Sequence, residues 1–171
     1  ALKPMLGIKA GFDGGAAPEG QAASFKVIAL DKDGKLTAAK AAPWTLKRLT
    51  FDYQWFKVEG DWRYEAITRT AKIANGTIDL GTDKPTDFSR QLSWGQYRLE
   101  VTANGMTPVS IDFSSGYYDA GSAKAETPDT LKLALDTADA RTGDTVNVKI
   151  EARYEGLVTV QIVGDRLLST Q

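Results

Sequence analysis

The stretch FDYQWFKVEGDWRYE, Phe51–Glu65, sets aromatic residues, two of them Trp, on both sides of a short break at VEGD, Val58–Asp61. Acidic residues around a Gly mark that break as a hairpin turn. With the turn there, Lys57 opposes Trp62, Trp55 opposes Tyr64, and Tyr53 opposes Ala66. Side chains alternate across a strand, so Phe51, Tyr53, Trp55, Trp62 and Tyr64 share one face. Asp52, Gln54, Phe56, Arg63, Glu65 and Ile67 share the other, mostly polar face. A slip of one residue would mix the two sets, so the pattern specifies its own register.

Five rings on one face serve either a packed core or a surface that receives a ligand. Buried aromatics dominate core energetics, and a large exposed apolar patch is unusual unless it binds something. The core reading is therefore favoured, with the rings packed against Phe25, Val27, Trp94, Tyr97 and Leu99. It expects the Trp55–Tyr64 pair to face inward, and Trp55→Ala to cost about 3–5 kcal/mol. Trp55, Trp62 and Tyr64 are the residues of an aromatic contact surface on the other reading, and some rings can reach past the core to a neighbouring domain.

The rest of the chain reads as strand. ASFKVIAL (Ala23–Leu30) alternates and runs into DKDGK (Asp31–Lys35), a turn. Asn75–Gly76 and Asn104–Gly105 carry hairpin-turn chemistry, with TIDL after the first and TPVSIDFSSG after the second. Turn signals recur at the spacing of an all-β sandwich, and no window sustains a helical period. The fold class expected is thus an antiparallel β-sandwich over residues 1–118. The small, polar stretch after Tyr118 reads as a linker over 119–129. Residues 130–171 hold three strand candidates, TLKLALD, DTVNVKIEAR and LVTVQIVG. Three strands do not close a sandwich, and their open sheet invites self-association.

Composition excludes much chemistry. The 171 residues contain no His and no Cys, and the formal net charge is −1. The commonest general base, the thiol nucleophile and the thiolate metal site are absent. No basic run points to nucleic acid. No apolar run reaches the length of a membrane span. DKDGK lacks the ligand spacing of an EF-hand calcium loop, and Asn75–Thr77 matches a glycosylation acceptor that matters only in a eukaryotic secretory chain. No catalytic residue, cofactor or metal site is expected. The opening ALKPMLGIKAGFDGG has no signal-peptide layout and reads as the start of a mature or excised chain.

The order of three segments resembles the bacterial α2-macroglobulin family. They are FDGGAAPEGQAASFKVIALDKDGK, then PWTLKRLTFDYQWFKVEGDWRYEAI with Trp44, Trp55 and Trp62, then WGQYRLEV followed by FSSGYYDAG. Together they look like the macroglobulin-like domain that precedes the bait-region domain. LKLALDTADARTGDTVNVKIEARYEGLVTVQIVGDRLL looks like the opening strands of the bait-region domain. The resemblance implies a parent that is a large periplasmic protease trap, often lipid-anchored, whose bait segment is cut by the protease it then encloses. It implies a scaffold role here, with neighbouring domains of the parent and, through the full-length protein, target proteases as partners. A carbohydrate-binding or cell-surface sandwich that uses the hairpin 51–65 is the other reading.

Overall fold

Alternation builds the first unit. In AASFKVIAL, Ala23, Phe25, Val27 and Ala29 are buried while Ser24 and Lys26 face water, the period-two pattern of a half-buried strand. A computed structural model describes residues 3–18, 20–116, 131–137, 139–151 and 155–171. Its strands are β1 Met5–Ala10, β2 Ala16–Ala17, β3 Ala22–Leu30, β4 Ala39–Val58, β5 Asp61–Leu80, β6 Thr86–Gln91, β7 Gly95–Val101 and β8 Val109–Ser115. Beyond these come β9 Lys132–Leu135, β10 Val148–Glu151, β11 Gln161–Val163 and β12 Leu167–Thr170. No helix occurs among the described residues. The chain divides into two compact units, Ala1–Tyr118 and Asp119–Gln171. The expected linker over 119–129 lies outside the described residues.

The first unit is a β-sandwich. One sheet has the order β1-β3-β6 and the other β2-β8-β7-β4-β5. All pairs are antiparallel except the short β2–β8 contact. Between the sheets lie Phe25, Phe88, Phe113, Tyr97, Trp44, Leu46, Leu80 and Leu99 with smaller apolar neighbours. Most of the rings meet edge-on or tilted, as Phe25 and Phe113 do at 4.8 Å between centroids, while Tyr97 stacks on Phe113 at 5.7 Å, arrangements that aromatic quadrupoles favour. The hydroxyl of Tyr97 donates to the Ser93 carbonyl at 2.8 Å, which satisfies the one polar atom this ring brings inward. Strand β6 contributes a single large apolar side chain, Phe88, so its sequence carries little of the alternation that marks its neighbours.

Strands β4 and β5 form one hairpin, each arm of 20 residues. Its turn is at Glu59–Gly60, and both residues have positive φ, 51° and 97°, as a tight two-residue hairpin turn requires. The register Lys57↔Trp62, Trp55↔Tyr64 and Tyr53↔Ala66 is the one the sequence implies. The inward orientation of the rings is not found. Strand β7 pairs with β4 only from Trp44↔Val101 to Leu49↔Gln96. Past Leu49, β4 has β5 as its sole partner strand among the described residues, and the hairpin continues as a two-stranded ribbon from Thr50↔Arg69 to Val58↔Asp61. These nine pairs extend for about 30 Å at the usual rise per residue.

The faces explain why the rings miss the core. Along β4 the buried residues Ala42, Trp44 and Leu46 point to the opposite sheet. Period two then sends Lys47, Leu49, Phe51, Tyr53 and Trp55 to the other side. On β5 a bulge makes the corresponding switch. Leu46 pairs with Ala74 but Lys47 pairs with Lys72, leaving Ile73 as the extra residue. Ala74, Gly76, Ile78 and Leu80 therefore face inward, whereas Thr70, Thr68, Ala66, Tyr64 and Trp62 face outward.

Asn75–Gly76 is a second correction. It lies inside β5, not in a turn, so TIDL is the base of the same strand. Gly76 is opposite Trp44, and a Cβ there would sit 3.0 Å from the indole. The glycine is used for close approach rather than for a turn. The indole of Trp44 is closed further by Phe88 at 4.9 Å between centroids and by the Arg90 guanidinium 4.9 Å from its ring.

The second unit contains two short antiparallel pairs, β9 with β10 and β11 with β12. LLST is thus a fourth strand beyond the three read from sequence. Val160 and Gln171 extend the second pair through two backbone hydrogen bonds of 2.9 Å. Asp136 closes the first pair, accepting bonds from the backbone and side-chain nitrogens of Asn147. Leu131, Leu133, Leu135, Ile162 and Leu167 remain exposed.

Two Trp substitutions separate core from ribbon. Trp44→Ala is expected to lower unfolding free energy by about 3–5 kcal/mol, measured by urea denaturation followed by circular dichroism. Trp55→Ala is expected to cost under about 1 kcal/mol, the scale of a cross-strand pair.

Candidate interaction surface

The ribbon owes its outward aromatic face to ordinary strand geometry. Trp55 and Tyr64 are directly paired, and their rings meet at 5.4 Å with planes 60° apart. Tyr64 also meets Tyr53 at 5.6 Å and 67°. Trp62 occupies the next position toward the tip, opposite Lys57. The three residues singled out in the sequence are together on one face and open to solvent: Trp55 is 51% exposed, Trp62 67% and Tyr64 39%. Sequence alternation placed them on one face correctly. It did not place that face relative to the core, although Trp44 and Leu46 occupy even positions of β4 while Phe51, Tyr53 and Trp55 occupy odd ones.

The two faces of the ribbon differ electrically. The opposite face carries Asp52, Glu65, Arg63 and Arg69, with Arg69 bonded to Asp52 across the strands. At the base of the aromatic face two ion pairs form, while Lys72, opposite Lys47, has no ion-pair partner among the described residues. Lys47 meets Glu100 at 2.7 Å, and Arg98 grips Asp112 through two nitrogens, Nη2 to Oδ2 at 2.7 Å. Beyond that base, Lys57 is the one charged side chain on the aromatic face, and it has no ion-pair partner among the described residues.

Elsewhere the polar clusters serve the fold. The Asp31 carboxylate accepts the backbone N–H groups of Asp33 and Lys35, both at 2.9 Å. The bond from Lys35 is the main cause that holds its pKa below the usual 3.8. DKDGK is accordingly a turn that folds its first carboxylate onto its own backbone. Asp79 accepts the N–H of Ala41, a residue at φ 48° in the bulge of β4, and so supports a backbone conformation that L-residues seldom adopt. No group of three or more metal-ligating side chains occurs among the described residues.

The Arg98–Asp112 bridge gives a pH dependence. The hydrogen bond from Arg98 lowers the Asp112 pKa from its ordinary 3.8. A depressed carboxylate stabilises the fold above its unfolded pKa, and this stability is lost as pH falls through the folded value. Solvent screens the half-exposed pair, so the term is at most about 1 kcal/mol. Urea midpoints taken from neutral to acid pH should fall more steeply in the native sequence than in Asp112→Asn.

The chain matches the family described as "Bacterial macroglobulin domain 6" over residues 7–117. It is 32% identical over 173 aligned positions to an alpha-2-macroglobulin of Xylella fastidiosa (strain 9a5c), covering 98% of this chain and 10% of that protein. Among solved structures it resembles the native conformation of E. coli alpha-2-macroglobulin, with a TM-score of 0.62 and 26% identity over 99% of this chain and 12% of that one. It also resembles Escherichia coli alpha-2-macroglobulin activated by porcine elastase, with a TM-score of 0.60 and 28% identity over 89% of this chain and 13% of that one. The chain spans about a tenth of the curated relatives it matches. The family match over residues 7–117 and the 32% identity over nearly the whole length agree, and the chain belongs to the bacterial alpha-2-macroglobulin family.

Proposed function

We propose that these residues are scaffold within a larger bacterial protease trap, set beside its bait region and inactive in isolation. The observation that carries this reading is the extent of the match. The domain 6 match ends at residue 117, yet the Xylella relative aligns over 98% of the chain, so the alignment continues through the second unit. The similarity to that relative thus extends over both units rather than the sandwich alone. The second unit is read as the opening strands of a bait-region-type domain, and residues 1–118 as the complete domain before it. A solved relative activated by porcine elastase supports a link to proteases. The absence of His and Cys from the sequence leaves no Ser–His pair, no thiol nucleophile and no thioester within these residues. A periplasmic, lipid-anchored parent is part of this reading and rests on the family resemblance alone.

One observation favours a sugar-binding module instead, namely the exposure of Trp55, Trp62 and Tyr64. Ring geometry opposes it. The Trp55 and Tyr64 planes are 60° apart and each ring's edge meets its neighbour, so these rings do not form one flat platform.

The trap reading is tested with trypsin and two substrates, a large protein and a small peptide. The 171-residue chain is expected to protect neither. A polypeptide that carries it with flanking domains is expected to protect the large substrate while the peptide is still cut. Equimolar protection by the chain alone would overturn the scaffold role, and failure of the longer polypeptide would overturn the trap. Glycan binding that Trp55→Ala abolishes would install the sugar reading.

A further inference from the structure

We infer that the aromatic face of the ribbon is a docking surface for another folded domain of the same polypeptide, outside residues 1–171. The docked surface is apolar and presents a carboxylate to Lys57. This rests on the reading of the chain as one part of a larger macroglobulin.

The ribbon is a structure that needs a neighbour. Past Leu49 its strands pair only with each other among the described residues, and an isolated two-stranded hairpin is marginally stable in water. Its aromatic face exposes Trp55, Trp62 and Tyr64, and an apolar patch of this kind on a soluble domain marks an interaction site. The other face of the ribbon is mixed, exposing Phe56 and Ile67 among its charged residues. The edge of β5 and the polar face carry Arg63, Glu65 and the Arg69–Asp52 pair, and charges along an edge discourage strand addition. The aromatic face has one such guard, Lys57. Burying an unpaired ammonium is costly unless an anion meets it, so the complementary surface must supply a carboxylate there.

Area identifies the occupant. The open parts of these rings amount to a few hundred Å², on the order of one or two fully buried aromatics. Two free molecules need about 800 Å² from each partner for a standard stable complex. The rings alone fall well short of that area, which favours a tethered occupant over a second copy or a separate protein. The face is large enough when the partner is tethered, because a covalent connection replaces much of the association cost with a high effective concentration. Such tethered partners are available on the family's scale of length, since the aligned segment makes up only 10% of the Xylella relative.

The test places the photo-crosslinking residue p-benzoylphenylalanine at position 62 of the polypeptide that carries this chain with its flanking domains. Position 62 is the most exposed of the three rings, so the substitution spares the core. Irradiation followed by peptide mapping should give crosslinks within single molecules, to segments outside residues 1–171. Acrylamide should quench Trp62 several-fold less in that polypeptide than in the 171-residue chain, and Lys57→Glu should restore quenching. Crosslinks between copies, to an added protease, or confined to residues 1–171 would overturn the proposal. So would equal quenching in the two polypeptides. An intact natural mass of 18.5 kDa would overturn both this and the larger-parent reading, whereas a long parent with an open Trp62 would overturn the docking alone.

Discussion

The pairing of β7 with β4 ends at Leu49↔Gln96, and much of the molecule follows from that limit. Up to Leu49, β4 is a central strand whose inward residues, Trp44 and Leu46, are sealed against the opposite sheet. One residue further, the same strand has a neighbour on one side only among the described residues. Its period of two is unbroken across the boundary. The parity that buries Trp44 therefore commits Phe51, Tyr53 and Trp55 to the outer side. Strand β5 accommodates the change by the bulge at Ile73. A single continuous hairpin thereby serves two environments, a dry base and a solvated arm, without interrupting its ladder of hydrogen bonds.

What was legible in the sequence was local. The Glu59–Gly60 turn and the register of Trp55 with Tyr64 are set by nearby residues, and reading them needs no knowledge of the rest of the fold. The side on which the rings lie depends on the parity that buries Trp44 and Leu46 further back along β4, and Asp61–Glu65 carries no trace of this. The parity change between Leu46 and Phe51 was the available signal, and the weight of five rings obscured it. Asn75–Gly76 misleads for a related reason. Its chemistry fits a turn, but the space beside Trp44 also demands a residue without a side chain. β6 exposes most of its residues and buries only Phe88, so its sequence resembles a loop. The candidate site was identified by residue type but not by exposure, because exposure is a property of the assembled sheets.

The two units differ in how completely they satisfy themselves. The sandwich encloses a continuous apolar cluster with its buried Tyr97 hydroxyl bonded. The second unit has paired strands but leaves Leu131, Leu133 and Ile162 in contact with water. Membership of the alpha-2-macroglobulin family gives this contrast a setting, since in the relatives the aligned segment is a small part of a much longer chain. A domain that bonds its own interior can act as a fixed support, and strands with an open apolar face are suited to completion by what lies beside them.

The tip of the ribbon has a consequence for how the family can diversify. Among the described residues, those beyond Thr50↔Arg69 pair only across the hairpin, so insertions or deletions there need not disturb the sandwich. Removing one residue from each arm would rotate everything distal to the other face, because alternation has a period of two. Removing two from each arm would preserve it. The arm can thus lengthen or shorten across related proteins in steps of two residue pairs, about 7 Å of reach per step, while it continues to present the same chemistry outward.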